Sequence, residues 1–198
     1  MHILLFGATG RTGRLVAQRL LAAGHRVTAA GRRDPQIDGV VFIRADLGDA
    51  AGLADLARGK DGAVSTLASA KGNPVCSGVA RALAGQAGLR FVTIGGAAVD
   101  QARDAKGPSD RFMGWLMRRL VPQMLADRQA ELAVLQGSLL RWTMLRPPRL
   151  TDGPATGTVR LTHDRPASTA VSRADLARAV VDALGDDTLI GRALFVAG

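Results

Sequence analysis

The stretch "LLFGATGRTGRLV", residues 4–16, decides how this chain begins to fold. An apolar run leads into three glycines spaced three apart, and an apolar-periodic segment follows them. The run predicts a buried strand, and the periodic segment predicts a helix. Glycine permits a tight turn at Gly7, a close backbone approach to a ligand at Gly10 and close helix–strand packing at Gly13. Because N–H groups at a helix start bind phosphate, the stretch predicts a dinucleotide site.

Polar side chains accompany the glycines. Thr9 and Thr12 can add hydroxyl donors to the same phosphates. Arg11 enters the first helical turn, where it either assists phosphate binding or is simply solvated. These three residues therefore join the glycines as candidate cofactor contacts.

The end of the second predicted strand, 26–31, indicates which dinucleotide is bound. An NAD site has an acidic residue there for the ribose 2′-hydroxyl, whereas a 2′-phosphate is met by arginine. The sequence continues with Arg32 and Arg33, and Asp34 falls past the strand end. A guanidinium matches phosphate oxygens, so we expect NADPH, with NADP as its oxidised form. In a chain this rich in arginine, the alternative is an ordinary solvated pair.

Three further strand ends supply candidates. Asp46 and Leu47 are placed to meet the adenine amino group and ring face; the alternative for Asp46 is a helix cap. The sequences "STLAS" (65–69) and "TIGG" (93–96) end the fourth and fifth strands. Carboxyl ends of parallel strands bind ligands, so these should line the ribose and nicotinamide. The candidates there are Leu67, Ala68, Ser69 and Gly95, and Ser69 could relay a proton.

The order of predicted elements gives the fold class. Strands are predicted at 2–7, 26–31, 40–46, 62–68, 90–96, 141–148 and 192–198. Helices are predicted at 11–24, 50–58, 75–87, 111–120, 124–138 and 172–185, with short strands or loops at 157–162 and 168–172. This alternation predicts an α/β, doubly wound parallel sheet of Rossmann type, forming a single domain over 1–198. The segment 97–122 breaks the rhythm, and we expect it to cover an acceptor. Ser172 and Asp175 predict a capping box for the last helix.

Composition narrows the partners. The net charge is +9, but the arginines are scattered, tyrosine is absent and aromatic residues make up 4%, which argues against nucleic acid and favours anionic small molecules. Cys76 is the one cysteine, and the three histidines lack ligand spacing, so no metal site is predicted. No signal peptide or membrane-spanning run is recognised, and we expect a cytoplasmic protein without a membrane partner, monomeric or homodimeric.

Several motifs together resemble a known family. They are "GATGRTG" (7–13), "GRR" (31–33), "ADLGD" (45–49), "FVTIGGA" (91–97), "WTMLRPPRLTDGPATG" (142–157) and "VSRADLARAVVDAL" (171–184). The chain resembles atypical short-chain dehydrogenase/reductases, most closely the NAD(P)H-binding, NmrA-like group that includes flavin reductase/biliverdin-IXβ reductases. The resemblance implies an NADPH site with Arg32 at the 2′-phosphate, Asp46 and Leu47 at adenine, and the backbone of Pro147 and Pro148 near the nicotinamide.

The chain departs from the wider family at its usual catalytic pair. Most short-chain dehydrogenases use a Tyr-x-x-x-Lys pair, but this chain has no tyrosine and no lysine in the corresponding helix. Asp127, Arg128 and Glu131 stand there instead, and Gly95 and Gly96 replace a serine common in flavin reductase relatives. No catalytic proton donor is therefore identified.

Two functions remain open at this stage. The first is an NADPH-dependent reductase that passes hydride to a planar conjugated acceptor, such as a flavin or quinone, which needs no tyrosine. Phe112, Met113 and Trp115 would form its apolar wall. The alternative for Phe112 and Leu116 is that they belong to an amphipathic core helix. The alternative is a non-catalytic NADP(H)-binding redox sensor that acts through a protein partner. An isomerase or dehydratase finds no positive feature in the sequence.

Overall fold

Strands and helices alternate along most of the chain in the computed structural model, which describes residues 1–69 and 73–198. The strands are β1 His2–Phe6, β2 Arg26–Gly31, β3 Val40–Arg44, β4 Gly62–Ser65, β5 Arg90–Ile94, β6 Arg141–Arg146, β7 Arg149–Thr151, β8 Arg160–Thr162, β9 Ala170–Ser172 and β10 Arg192–Ala197. The helices are α1 Arg11–Ala22, α2 Ala50–Ala57, α3 Val75–Leu83, α4 Pro108–Leu120, α5 Pro122–Gln136 and α6 Arg173–Gly185, followed by a 3₁₀ turn at Asp187–Leu189.

Eight strands form one sheet in the order β3-β2-β1-β4-β5-β6-β10-β8. The first seven are parallel, and β8 joins β10 in the antiparallel sense. Strand order reverses direction at β1, between β2 and β4, and such a switch point opens a crevice at the carboxyl ends of the strands. The predicted doubly wound parallel sheet is confirmed.

Helices cover both faces of the sheet. β1 sends alternate side chains to opposite faces, so each face contributes to its own core. Ile3 and Leu5 pack with α1 and α6, whereas Leu4 and Phe6 pack with α2, α3 and α5. All four are fully buried. A strand buried on both faces explains the continuous apolar run that began the sequence argument.

Several boundaries differ from the sequence predictions, and two helix starts are explained by proline. Helix α4 begins at Pro108 rather than at 111, because proline suits the first helical turn and Asp110 accepts a hydrogen bond from the Gly107 N–H at 3.3 Å. Helix α5 likewise begins at Pro122 rather than at 124. The strand predicted over 141–148 was expected to be ended by its two prolines, and β6 does end at Arg146, directly before them. β7 and β9 then form a small parallel sheet.

The capping box predicted for α6 forms only in part. Ser172 Oγ accepts from the Asp175 N–H at 2.9 Å, as predicted. The Asp175 carboxylate instead accepts from the backbone N–H groups of Thr156 and Gly157, at 2.8 and 3.2 Å. Asp175 thereby fixes the loop between β7 and β8 to the start of α6. Within 1–69 and 73–198, no helix combines the length and apolar character needed to cross a bilayer.

Candidate functional site

The predicted site residues all lie at the carboxyl ends of the parallel strands. Each group directly follows a different parallel strand, and six neighbouring strands, from β3 to β6, contribute. In spatial order across the sheet, the groups are Asp46 and Leu47; Arg32 and Arg33; Gly7, Thr9, Gly10, Arg11, Thr12 and Gly13; Leu67, Ala68 and Ser69; Gly95; and Pro147. They form one continuous row across the switch point.

The glycine loop has no room for side chains at two of its three glycines. Gly7 has a φ of +85°, and a Cβ there would lie 2.7 Å from Thr66 Oγ1. A Cβ on Gly13 would lie 2.0 Å from the Gly7 carbonyl oxygen, so α1 packs directly on the turn. Gly10 is exposed, and its Cβ would meet nothing closer than 3.4 Å. The surface at Gly10 is therefore open to a ligand.

The start of α1 is available to an anion. Gly10 is the N-cap, and among the described residues no side chain caps this helix. Its first-turn N–H groups and the positive end of its dipole therefore face the open loop. Arg11 is exposed and pairs with Asp152 at 2.8 Å, a surface ion pair of little strength that a phosphate can displace.

Arg32 and Arg33 are exposed just beyond β2, and within the described residues neither makes an ion pair. The nearby Asp34 accepts the Gln36 N–H at 2.7 Å inside its own turn. Gln36 takes the left-handed conformation that this turn requires, with φ +51°. The carboxylate is thus part of the loop, while the two guanidinium groups remain available.

The loop after β3 separates two aspartates by role. Asp46 Oδ1 accepts the Gly48 N–H at 2.9 Å and Asp49 accepts the Gly52 N–H at 3.0 Å, and Asp49 is the residue that caps α2. Asp46 is exposed, and Leu47 is half-buried against the core beneath it. The helix-cap alternative for Asp46 is wrong, because the cap lies three residues further on.

The segment that follows β4 is tied to the glycine loop. Thr66 Oγ1 donates to the carbonyl oxygens of Phe6 and Gly7, at 3.0 and 3.1 Å, and the Thr66 N–H continues the ladder to Phe6. These hydrogen bonds join the glycine turn to the exit from β4.

Ser69 lies in a buried hydrogen-bond cluster. Its hydroxyl donates to Asp127 Oδ2, and that carboxylate also accepts the N–H groups of Cys76 at 2.9 Å and Ser77 at 3.0 Å. Burial alone would raise the pKa of Asp127, but hydrogen bonds from Ser69 and Ser77 outweigh it and hold the pKa below its usual value. The Cys76 thiol lies 3.2 Å from Ser69 Oγ, and burial raises its pKa to about 12. Because Asp127 is ionised, it can only accept hydrogen bonds. It therefore has no proton that it could pass to a substrate through Ser69.

An ion pair lies beside this cluster, starting one residue further along α5. Arg128 Nη1 donates to Glu131 Oε2 at 2.6 Å, and Arg128 Nη2 donates to the carbonyl oxygen of Leu67. Glu131 is fully buried and also accepts from Thr93 Oγ1 at 2.7 Å. Sequence reasoning noted these charged residues in the helix predicted at 124–138, but assigned them no role. Their one available signal was the presence of charges on the face of α5 that carries Leu132 and Leu135.

The ends of β5 and β6 are joined by backbone hydrogen bonds. The Gly95 N–H donates to Leu145 at 2.7 Å, and the Ala97 N–H donates to Pro147 at 2.8 Å. A Cβ on Gly95 would lie 2.8 Å from Met144 Sδ, so position 95 has no space for a larger residue. Gly95 is half-buried and Pro147 is buried.

The excursion after β5 is fixed by a buried arginine. Arg146 is fully buried, donates to both Asp104 carboxylate oxygens at 2.8 Å, and stacks on Phe195 with its guanidinium 3.8 Å from the ring centre. Burial raises the pKa of Asp104, but hydrogen bonds from Arg146 and the Gln101 N–H lower it by more, and the net direction is down. Lys106 adds a contact to Asp104 at 3.3 Å.

Helix α4 directs apolar side chains outward from this anchored loop. Phe112 is 61% exposed and Trp115 is 47% exposed, and their rings stack with centres 5.8 Å apart. Met113 and Leu120 are also exposed, and within α4 only Gly114 is buried. The core-helix alternative is therefore wrong for Phe112, whereas Leu116 is half-buried.

A polar cavity of about 560 Å³ lies on the other side of α4. Its charged lining includes Asp100, Asp104, Lys106 and Arg118, and these four pair among themselves. It shares no residue with the row of strand ends. We therefore place the candidate cofactor site at the strand ends and not in this cavity.

Comparisons with known proteins identify the family. A family model described as NAD(P)H-binding matches residues 7–187, which include the glycine loop and the strand ends. A comparison with curated proteins returned no match.

Solved structures share the fold over nearly the whole chain. ChuY, an anaerobillin reductase from Escherichia coli O157:H7, has a TM-score of 0.80 at 23% identity, covering 99% of this chain and 96% of that chain. A protein from Streptococcus pneumoniae provisionally named an NADH-flavin reductase has a TM-score of 0.79 at 22% identity, covering 99% and 98%. One from Burkholderia pseudomallei, provisionally named an exported protein, has 0.78 at 27%, covering 100% of both chains. Because the family model covers nearly the whole chain, the chain belongs to the NAD(P)H-binding family, and its cofactor is a nicotinamide dinucleotide.

Proposed function

We propose that this protein is an NADPH-dependent oxidoreductase that transfers a hydride to a planar conjugated acceptor, such as a flavin or quinone. When bound, NADPH supplies the hydride. The chain's own contribution is to bind the cofactor, orient it and exclude water. The observation that carries the proposal is that the chain has no tyrosine, and that α5, where the resemblance would place the usual catalytic pair, buries Asp127, Arg128 and Glu131 instead.

The cofactor half of the proposal rests on the glycine loop. Gly10 leaves an open surface beside the uncapped start of α1, which suits a diphosphate. Arg32 and Arg33 would bind the 2′-phosphate, because they are exposed and unpaired among the described residues while Asp34 is held in its turn. Asp46 and Leu47 would hold the adenine, and the 67–69 segment, Gly95 and Pro147 would line the nicotinamide ribose and ring.

The acceptor half rests on the chemistry that the site lacks. The chain has no tyrosine, and Ser69 donates its proton to the ionised Asp127. An isolated ketone would need a protein acid to protonate its oxygen. A flavin or quinone spreads the added charge over its conjugated system and takes a proton from water. The stacked rings of Phe112 and Trp115 supply an apolar wall suited to such a planar molecule.

The test is NADPH consumption by purified protein, with FMN, riboflavin and a simple quinone offered separately and NADH run alongside. Cofactor binding is measured by calorimetry in the same buffer. We expect turnover with at least one acceptor, and faster turnover with NADPH than with NADH. Tight NADPH binding without turnover of any acceptor would contradict the reductase proposal.

A second candidate is a non-catalytic NADP(H) sensor that binds a protein partner. The exposed apolar side of α4 favours it, because contiguous exposed apolar surface often marks an interaction site. The same experiment separates the two: the sensor binds NADPH and consumes none. Trp115 then provides the next probe, since its fluorescence would change with a protein partner rather than with FMN.

A further inference from the structure

Helix α5 buries three charged side chains beside the candidate cofactor site. Asp127, Arg128 and Glu131 are 4%, 7% and 0% exposed. Burying a charge is costly unless partners satisfy it, and a well-packed apolar trio would serve stability equally well or better. The positions of their partners therefore indicate what these charges are for.

Those partners converge on the segment between β4 and α3. Arg128 holds the carbonyl of Leu67, and Asp127 holds the hydroxyl of Ser69. Thr66, directly before them, is held by the glycine loop. The segment is thus fixed at three of four successive residues, and the fourth, Ala68, is exposed at the site.

Capping of α3 explains only part of this arrangement. Asp127 does satisfy the N–H groups of Cys76 and Ser77 at the start of that helix. Arg128 has no part in the cap: its guanidinium is directed at Leu67 by Glu131, which is itself held by Thr93 on β5. Two buried charged side chains, Arg128 and Glu131, therefore orient one backbone carbonyl, that of Leu67, in the candidate cofactor site.

The hydrogen-bond directions also define what Ser69 can offer a ligand. Its proton goes to Asp127, and the protonated Cys76 thiol lies 3.2 Å away as a weak donor to the same oxygen. Ser69 Oγ can therefore accept from a ligand but cannot donate to one. A ribose hydroxyl is a donor that fits this requirement.

We propose that Arg128, oriented by Glu131, is a positioning residue that fixes the 67–69 segment for the nicotinamide riboside half of the cofactor, with Ser69 accepting a hydrogen bond from its ribose. This inference rests on the proposed NADPH site but not on turnover. It concerns one half of the cofactor only, because the adenosine half lies across the switch point at Arg32 and Asp46.

The test compares two ligands by calorimetry. NADPH carries both halves, whereas adenosine 2′,5′-bisphosphate carries the phosphorylated adenosine half alone. In Arg128→Lys, the charge opposite Glu131 remains, but one ammonium cannot serve both Glu131 and Leu67 as the guanidinium fork does. We expect NADPH affinity to fall about tenfold or more, the factor for losing a hydrogen bond to a charged group, and the affinity for the bisphosphate to stay within about twofold.

A double variant separates positioning from stability. Arg128→Met with Glu131→Met removes both buried charges together, and we expect it to remain folded, since apolar replacements of buried ion pairs are commonly tolerated. It should nevertheless lose NADPH affinity selectively, and amide exchange at 67–69 should become faster. A purely structural role predicts normal NADPH binding in this variant, and that result would overturn the proposal.

Arg90→Met is the matched control. Arg90 is equally buried, but it lies at the opposite end of β5 and donates to Arg141, Thr143 and Ala183. This variant should lower stability and leave the ratio of the two affinities unchanged. Equal losses for both ligands in Arg128→Lys would also overturn the proposal. Wild-type protein that binds neither ligand would instead overturn the proposed function, and this inference with it.

Discussion

Arg32 follows the last residue of β2 and leaves its guanidinium in solvent. If it binds the 2′-phosphate, its removal should affect only the cofactor that has one. We expect Arg32→Ala to weaken NADPH binding about tenfold or more and NADH binding within about twofold, because a charge-assisted hydrogen bond is lost in one case and not in the other. Calorimetry with both cofactors measures the ratio.

The control for Arg32 is Arg26→Ala, an exposed arginine at the opposite end of the same strand. It removes the same charge and should leave both affinities unchanged. Equal weakening of NADPH and NADH in Arg32→Ala would contradict the 2′-phosphate assignment.

The site residues that sequence could predict are those whose reason is local. Gly7 and Gly13 are required by a turn and a helix that lie within a few residues of them, so the motif carries its own explanation. Arg128 is different, because its partner Leu67 lies 61 residues away. Nothing near Arg128 in the chain predicts that contact, and only the packing of α5 against α3 and the end of β4 creates it.

Helix α4 is the element on which the acceptor proposal depends. Its exposed rings are expected to contact the acceptor and not the protein core. Trp115→Ser should therefore raise the KM for the acceptor several-fold while leaving the Tm and the Kd for NADPH unchanged, because an exposed ring contributes little to folding. Steady-state kinetics and thermal unfolding on the same preparation test both halves of the expectation.

Leu139→Ser is the matched control for α4. Leu139 is 65% exposed and lies just before β6. It is therefore at the amino ends of the strands, whereas the candidate site is at their carboxyl ends. Its replacement should change neither KM nor Tm. An unchanged KM in Trp115→Ser would remove α4 from the acceptor site and favour the partner-binding alternative.

The start of α4 shows why its boundaries were harder to predict than its presence. The apolar pattern begins at Phe112, so periodicity places the helix start near 111. The first turn is instead formed by Pro108, Ser109 and Asp110, which suit a helix start without adding to any apolar face. Pro122 was expected to separate two helices; it does so by beginning the second one.

At the scale of the whole molecule, acid should unfold the protein through its buried aspartates. Asp104, Asp127 and Asp175 all have lowered pKa values, because the hydrogen bonds they accept outweigh the effect of burial. A carboxylate with a depressed folded-state pKa adds stability above its unfolded pKa, about 3.9, and loses it as the pH falls through the folded value. The free energy of unfolding should therefore decrease steeply below about pH 4. Denaturant titrations across this range measure it.

Asp104→Asn tests one contributor to that slope. It removes the ionised partner of Arg146 and should both lower stability at neutral pH and flatten the acid dependence. Asp38→Asn, at an exposed loop position, should do neither. An unchanged slope in Asp104→Asn would contradict the assigned role of the Arg146 pair.

The overall fold could be predicted from the sequence because a strand–helix pattern repeats along most of the chain. Buried strands alternate with helices through most of the stretch from β1 to β6, the exceptions being β2 and β3, which have no helix between them, and the two helices α4 and α5 before β6. Right-handed crossover connections then leave few possible arrangements of a parallel sheet. The last third was less predictable. β7, β8 and β9 have three residues each, too few to show a pattern, and their pairing is decided by contacts such as Asp175 with Thr156.

The two edges of the large sheet are protected unequally. One edge strand is β8, which pairs with β10 in the antiparallel sense. It has only three residues and therefore offers few free backbone groups to a strand of another chain. The other edge is β3, five residues long, where Val41 is 62% exposed and Phe42 and Ile43 are only partly covered. Edge strands of this kind recruit strands from other molecules. Self-association at high concentration should accordingly begin at β3, and Val41→Lys should delay precipitation.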